Sequence, residues 1–245
     1  MENDIYRIMY QREDDFWWHS GMKEIVNTLL NKYFNKSKVN KILDVGCGTG
    51  GMFKILSGFG QIWGIDKSSE AVRYARERNI AQSVEQREID RLPYDDNSFD
   101  LVVCFDVLYH RWVKNDISVI QEMRRVLKKN GILLIREPAY NWLRSQHDSA
   151  VWTNHRFSLK ELKNKLESAD FKVEKISYTI FFLFPLVLAK RLLENVYKSK
   201  DTIDHTFEYS WVGDMLFKPF LILESKLINL LNFPFGLSII GVSKK

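Results

Sequence analysis

The run "KILDVGCGTGG", Lys41 to Gly51, constrains this chain more than any other stretch. A short apolar strand delivers Asp44 and then breaks into Gly46, Gly48, Gly50 and Gly51 before a helical pattern begins. Glycine tolerates positive φ and lets the backbone come close to a ligand. A strand, a glycine turn and a helix in that order therefore make the first unit of a nucleotide-binding sheet. The string also satisfies GxGxxG through Gly46, Gly48 and Gly51, and Asp66 lies 15 residues beyond Gly51. A dinucleotide reading is open at this point.

Apolar spacing extends the start into a fold. Met22, Ile25, Val26, Leu29, Leu30 and Tyr33 predict an amphipathic helix ahead of the first strand. After the glycines, "GMFKILSGF" predicts a helix, "QIWGID" a second strand, and "SSEAVRYARER" a helix capped by Ser68 or Ser69. "SVEQREI" and "FDLVVCFDVL" predict strands three and four, the latter ending near Phe105. Val113, Ile117, Ile120, Met123 and Leu127 mark another helix, and "GILLIREP" a fifth strand. Ser158 and Glu161 in "SLKE" form a capping box. "FKVEKISY" and the closing "LSIIGVSKK" form a hairpin-like last pair. The alternation predicts an α/β fold: a doubly wound, Rossmann-like sheet of seven strands with an antiparallel last strand. A helical cap (residues 1–38) precedes the core sheet (39–178 and 236–245), and an apolar helical insertion or lid (179–235) interrupts it. With 245 residues, the chain suits one such domain.

Composition narrows the partners. Hydrophobic residues are 45% and charged ones 27%, ordinary for a soluble globular protein. The balance of 36 basic against 31 acidic residues leaves +5, a thin bias toward anionic partners. The only cysteines, Cys47 and Cys104, have neither metal-ligand nor disulfide spacing, and "MENDIYRIMYQRED" is too charged for a secretory signal. Both point to a reduced, cytoplasmic setting and to no metal. The longest uncharged apolar run, Ile176–Ala189, is 14 residues, against the about 20 needed to span a bilayer.

Three features take the glycine turn away from dinucleotides. Asp44 stands two residues before the first glycine, where that fingerprint has an apolar residue. "LPYDDNSFD" follows the third strand, and the sheet ends in the antiparallel-looking pair. On these residues the chain resembles the class I S-adenosylmethionine-dependent methyltransferases, of the type carrying an LP(F/Y)xDxSFD segment, over residues 39–178 and the final strand. The resemblance implies S-adenosylmethionine as cofactor, S-adenosylhomocysteine as product and no metal. It places Asp44 and the loop Gly46, Cys47, Gly48 and Gly50 around the methionine portion and ribose. Asp66 would take both ribose hydroxyls, with Lys67 beside it. Glu88 would take the adenine amino group, with Asp90 as its rival, and the Ile89 N–H an adenine nitrogen. The Phe105 carbonyl would face the methionine amine.

For catalysis, His110 past strand four is the leading base, in competition with a plain surface histidine, and His19 is the second. "PAYNWLRSQHD" resembles a subgroup found among glycan- and envelope-assembly enzymes, which makes Tyr140, His147 and Asp148 acceptor-loop candidates, with Tyr109 nearby. The Trp17–Trp18 pair in "DDFWWHSG" reads as a lid over the cleft, with core packing as the rival for one of the two. Strand four is not followed by (N/D/S)PP(Y/F), which argues against amide or exocyclic nitrogen acceptors. The expected function is methyl transfer to an oxygen of a small or lipid-linked acceptor, glycan or isoprenoid in type. RNA methylation, suggested only by the basic balance, and a cofactor-binding regulator without turnover are the alternatives. The segment "YTIFFLFPLVLAKRLLENVYKSK" reads as a lid helix packed on the core, or as an element also meeting a membrane face.

Overall fold

The computed structural model describes residues 3–144, 148, 152–197 and 211–245. Five strands run parallel: β1 (Lys41–Val45), β2 (Gln61–Asp66), β3 (Ser83–Gln86), β4 (Phe99–Phe105) and β5 (Leu127–Pro138). With β6 (Lys172–Thr179) and β7 (Ser238–Lys244) they form one sheet in the order β3-β2-β1-β4-β5-β7-β6. β7 is antiparallel to both of its neighbours, as the closing pair predicts. Ile42, Leu43, Leu101, Val102, Leu133 and Leu134 are fully buried. Strands covered on both faces carry such runs without polar alternation. The strand order reverses between β1 and β4, so the carboxyl ends of those strands open the crevice where α/β sheets take ligands.

The helices are α1 (Asn3–Arg12), α2 (Trp17–Tyr33), α3 (Phe53–Leu56), α4 (Ser69–Glu77), α5 (Asp116–Val126), α6 (Leu159–Ser168), α7 (Phe184–Tyr197), α8 (Trp211–Leu216) and α9 (Lys218–Leu227). Ser68 is the cap of α4, accepting from the Ala71 N–H at 3.3 Å, and the Ser158–Glu161 capping box opens α6. Two elements are shorter than their patterns. α3 has four residues because "SGFG" follows it at once, and β3 stops at Gln86, short of Ile89. The last tie on that side is the Arg87 N–H to the Asp66 carbonyl, at 2.9 Å. No described helix is long and apolar enough to cross a membrane.

α9 seats the insertion against the amino-terminal cap. Gly21 of α2 meets Leu221 of α9 so closely that a Cβ at Gly21 would lie 2.3 Å from Leu221 Cδ1. The pairing continues to Asn229, whose side chain donates to the Thr28 carbonyl at 3.3 Å. At the foot of β6 the chain turns through Ile180 with φ +63°, a conformation costly for a β-branched residue. The fully buried Glu224 of α9 holds that turn, accepting the Ile180 N–H at 2.5 Å and the Phe181 N–H at 2.8 Å. Burial pushes the Glu224 carboxyl up to about 7, against the pull of those N–H groups. A Gly21→Val substitution puts branched carbon into the helix contact, so it should lower unfolding stability by about 1–3 kcal/mol in urea titrations. Leu221→Ala in the same background should recover part of the loss, because it removes the opposing atoms.

Candidate cofactor and active site

The glycine turn is shaped by what surrounds it. A Cβ on Gly46 would strike Val107, 2.4 Å away, and the residue sits at φ +73°. Gly48, at φ +55°, faces open space instead, which leaves bare backbone at the crevice. Asp66 at the end of β2 fixes the turn: Oδ2 accepts the Gly48 N–H at 2.9 Å and Oδ1 the Ser68 N–H at 2.8 Å. The Gly46 and Cys47 N–H groups both donate to the Ile65 carbonyl at 2.9 Å. Cys47 and Cys104 are buried free thiols.

Asp44 lies on β1 between Gly64 and Val103 and is 3% exposed. Its carboxylate has no hydrogen-bond or ion-pair partner among the described residues. Burial first, then the charges of Asp66 and Glu13, push its pKa up to about 8. A cationic ligand group beside Asp44 would restore its charge, and the bare Gly48 backbone leaves room for one. The carboxylates, the exposed loop backbone and the switch-point position fit a ligand with an ammonium, a sulfonium and a diol, which is S-adenosylmethionine.

The amino-terminal cap is buckled onto this loop by residues that sequence patterns missed. Glu13, 5% exposed, accepts from the Thr49 hydroxyl and from Arg78 Nη2 at 2.6 Å. Arg78 Nε donates to the Thr49 carbonyl at 2.6 Å, and Arg78 Nη1 pairs with Asp14 at 2.8 Å. α1 lies on α4, with Tyr10 stacked on Tyr74 at 4.8 Å. Tyr6 of α1 stands near enough to Asp66 for that carboxylate to add to the rise that burial gives its phenol. The one available signal was the Tyr6–Tyr10 spacing; the Glu13–Arg78 pair joins positions 65 residues apart.

The tryptophans divide. Trp17 is buried and touches Phe16, Trp18 and, at 5.3 Å, Phe217 ahead of α9, so it joins the cap to the insertion. Trp18 is half-buried. His19 stands by the ends of β4 and β5. Burial, then the Arg136 and Lys23 charges, hold its pKa down at about 4, against Asp106 and Asp14, so the imidazole is neutral at neutral pH.

At the end of β4, the Phe105 ring lies under the Arg136 guanidinium, 5.4 Å from it. Arg136 grips Asp106, which has φ +57°, through Nε and Nη2. Glu137, fully buried on β5, was missed by sequence reasoning because it reads as one residue of an apolar strand. It accepts three backbone N–H groups, from Val107 at 3.2 Å, Leu108 at 2.8 Å and Tyr109 at 3.2 Å. Burial, then the Asp106 charge, raise its pKa well above the carboxylate range, and the three donors pull it back only in part. Glu137 thereby sets the path of the loop carrying Tyr109 and His110. Both are buried, and the His110 ring stacks 4.2 Å from Tyr109 and 5.7 Å from Trp112.

The remaining expected positions spread outward. Lys67 and Glu88 pair at 2.8 Å on the surface, so each occupies the other, and the Ile89 side chain is buried. Tyr140, at φ +61°, stacks on Tyr178 at 5.1 Å. His147 lies outside the described residues. Asp148 is buried and committed to Arg156, with oxygens at 2.7 and 3.0 Å from the guanidinium. Asp116, His155 and Glu161 come together elsewhere, with the Lys165 ammonium 3.0 Å from Asp116.

A glycine turn after β1, a carboxylate ending β2 and an antiparallel β7 between β5 and β6 together define a class I methyltransferase fold. Residues 43–135 match the methyltransferase-domain family. An uncharacterised protein of Methanocaldococcus jannaschii is 30% identical over 183 residues, 70% of this chain and 74% of that one. A ubiquinone biosynthesis O-methyltransferase of Glaesserella parasuis is 34% identical over 120 residues, 45% of this chain. The alignment spans only 48% of that relative's length. Among solved structures, a SAM-dependent methyltransferase from Aquifex aeolicus aligns with TM-score 0.54 at 22% identity, over 73% of this chain and 93% of that one. The chain belongs to the class I S-adenosylmethionine-dependent methyltransferases, and S-adenosylmethionine is its cofactor.

Glu137→Gln keeps the shape but sets an amide N–H₂ against backbone donors. It should cost about 1–3 kcal/mol of stability. Hydrogen exchange should speed up at the Val107, Leu108 and Tyr109 amides while the β1 amides stay protected.

Proposed function

We propose that this chain transfers a methyl group to an oxygen of a small or lipid-linked acceptor, glycan or isoprenoid in type. The observation that carries the reading is the placement of His19 near the Asp106–Arg136 pair at the ends of β4 and β5, on the helix whose Trp17 meets Phe217 of the aromatic insertion. A hydroxyl must give up its proton as it attacks, and a neutral imidazole is the form that accepts one. The relative named for O-methylation in ubiquinone biosynthesis supports oxygen as the acceptor atom.

Bound at the β1–β2 end, S-adenosylmethionine supplies a methyl group already activated on a sulfonium. The chain's own part is to hold, align and exclude water, and alignment of this kind supplies about 7–11 kcal/mol of a barrier. Asp44 and the backbone of Gly46, Cys47, Gly48 and Gly50 receive the methionine portion, and Asp66 the ribose hydroxyls. Lys67, Glu88 and Ile89 close the adenine end, and the Phe105 carbonyl meets the methionine amine. Trp18, Tyr109, Tyr140 and His147 belong to the acceptor side, with His110 and His19 as the bases. Residues 179–235 form a lid, and the working place is the cytoplasmic face of a membrane.

Calorimetry should show S-adenosylmethionine binding that Asp66→Ala weakens roughly tenfold or more, since a lost charge-assisted contact is worth at least about 1.4 kcal/mol. Equal affinity in the variant sinks the ribose assignment. Asp44 is raised in the free protein and a cation beside it lowers it, so binding should release protons and tighten from about pH 6 to about pH 8. Asp44→Asn should remove that dependence. Labelled cofactor offered with lipid extract, soluble metabolites and total RNA should mark the lipid or metabolite fraction; label in RNA alone overturns the acceptor reading.

A further inference from the structure

α9 carries apolar residues on its exposed surface as well as on its buried side. Leu221, Glu224, Ser225 and Ile228 are its inner side, buried on α2 and the end of β6. On the outer side Phe220 and Leu223 are 45% and 44% exposed, and Leu216 precedes them by one turn at 48%. The row ends in the tip Leu230–Leu231, exposed by 78% and 51%. Single exposed leucines are ordinary, but a row at helical spacing along one side marks a contact surface.

The charges around the row say what covers it. Lys32 donates to the Asn229 carbonyl and Lys175 to the Leu231 carbonyl, each at 2.7 Å, so two ammonium groups stand at the foot of the leucine tip. Lys226 is exposed on the flank of α9. Among the described residues, none of these three lysines has a carboxylate within ion-pair distance. Lys175 itself is 9% exposed, and burial, then the Lys32 charge, lower its pKa, so the exposed charges on this side are Lys32 and Lys226. A second copy related by a two-fold axis would cover the apolar row but bring lysines toward lysines. A bilayer with anionic headgroups offers both apolar depth and phosphates. α9 also runs from the rim, where Phe217 meets Trp17, down alongside α2, so this side leads to the crevice.

We propose that the outer side of α9 and the Leu230–Leu231 tip dock on an anionic lipid bilayer. Leu216, Phe220, Leu223 and the tip enter the headgroup boundary, and the exposed Lys32 and Lys226 meet lipid phosphates. The inference deepens, and rests on, the lipid-linked reading of the acceptor.

The test is co-sedimentation of the full chain with phosphatidylcholine vesicles, with and without roughly one-third phosphatidylglycerol. Wild type should bind the anionic vesicles, weakly bind the neutral ones, and release as salt rises. Leu230→Asp with Leu231→Asp should cut binding roughly tenfold or more. Lys32→Gln with Lys226→Gln should cut it several-fold and flatten the salt dependence. Both pairs should leave S-adenosylmethionine affinity unchanged, which separates failure of the surface from failure of the cofactor reading. The proposal is overturned by wild type that ignores anionic vesicles, or by undiminished binding in the leucine variant. A solution dimer that the leucine variant dissolves also overturns it, since a second copy then covers the row.

Discussion

The Asp66 carboxylate, bonded to the Gly48 and Ser68 N–H groups, is the contact from which the rest of the cofactor end is built. It ties the turn after β1 to the start of α4 and keeps the loop backbone open toward the crevice. The same device recurs across the top of the sheet. Glu137 gathers three N–H groups of the loop after β4, and Glu224 two at the bend after β6. Loops above a sheet carry N–H groups that no ladder satisfies, and a buried carboxylate accepts several at once. Each carries a desolvation cost, which shows in the raised pKa of all three.

The cap and the insertion depend on each other across this frame. α2 packs along α9, Gly21 lets the two helices close, and Trp17 meets Phe217 where they begin. Glu13 and Arg78 then bring the front of the cap down onto Thr49 in the glycine loop. The glycine loop and the start of α9 are thus joined through the cap by one continuous set of contacts, although their residues come from distant parts of the chain.

Much of the core was legible. Asp44, the glycines, Asp66 and the end of β4 at Phe105 are where the patterns put them, because apolar runs and glycine turns are local in sequence. The division of labour within "DDFWWHSG" was not. Trp17 packs, Trp18 is half-buried, His19 has its pKa lowered by burial and then by Arg136 on β5 and Lys23 in the cap, and Gly21 meets a leucine 200 residues away. Asp148 followed a family pattern toward the acceptor, yet its carboxylate is taken by Arg156. Glu88 likewise spends its charge on Lys67.

The sequence by itself determined the order of strands and helices, the glycine turn and the two carboxylates, Asp44 and Asp66, at the ends of the first two strands, since periodicity and positive φ are written into neighbouring residues. Only the tertiary structure decided which acids clamp loops, which tryptophan is packing, and that α9 shows an apolar row with the exposed Lys32 and Lys226 beside it. Those outcomes depend on burial and on charges brought together from distant positions, and neither is a property of a residue and its neighbours in the chain.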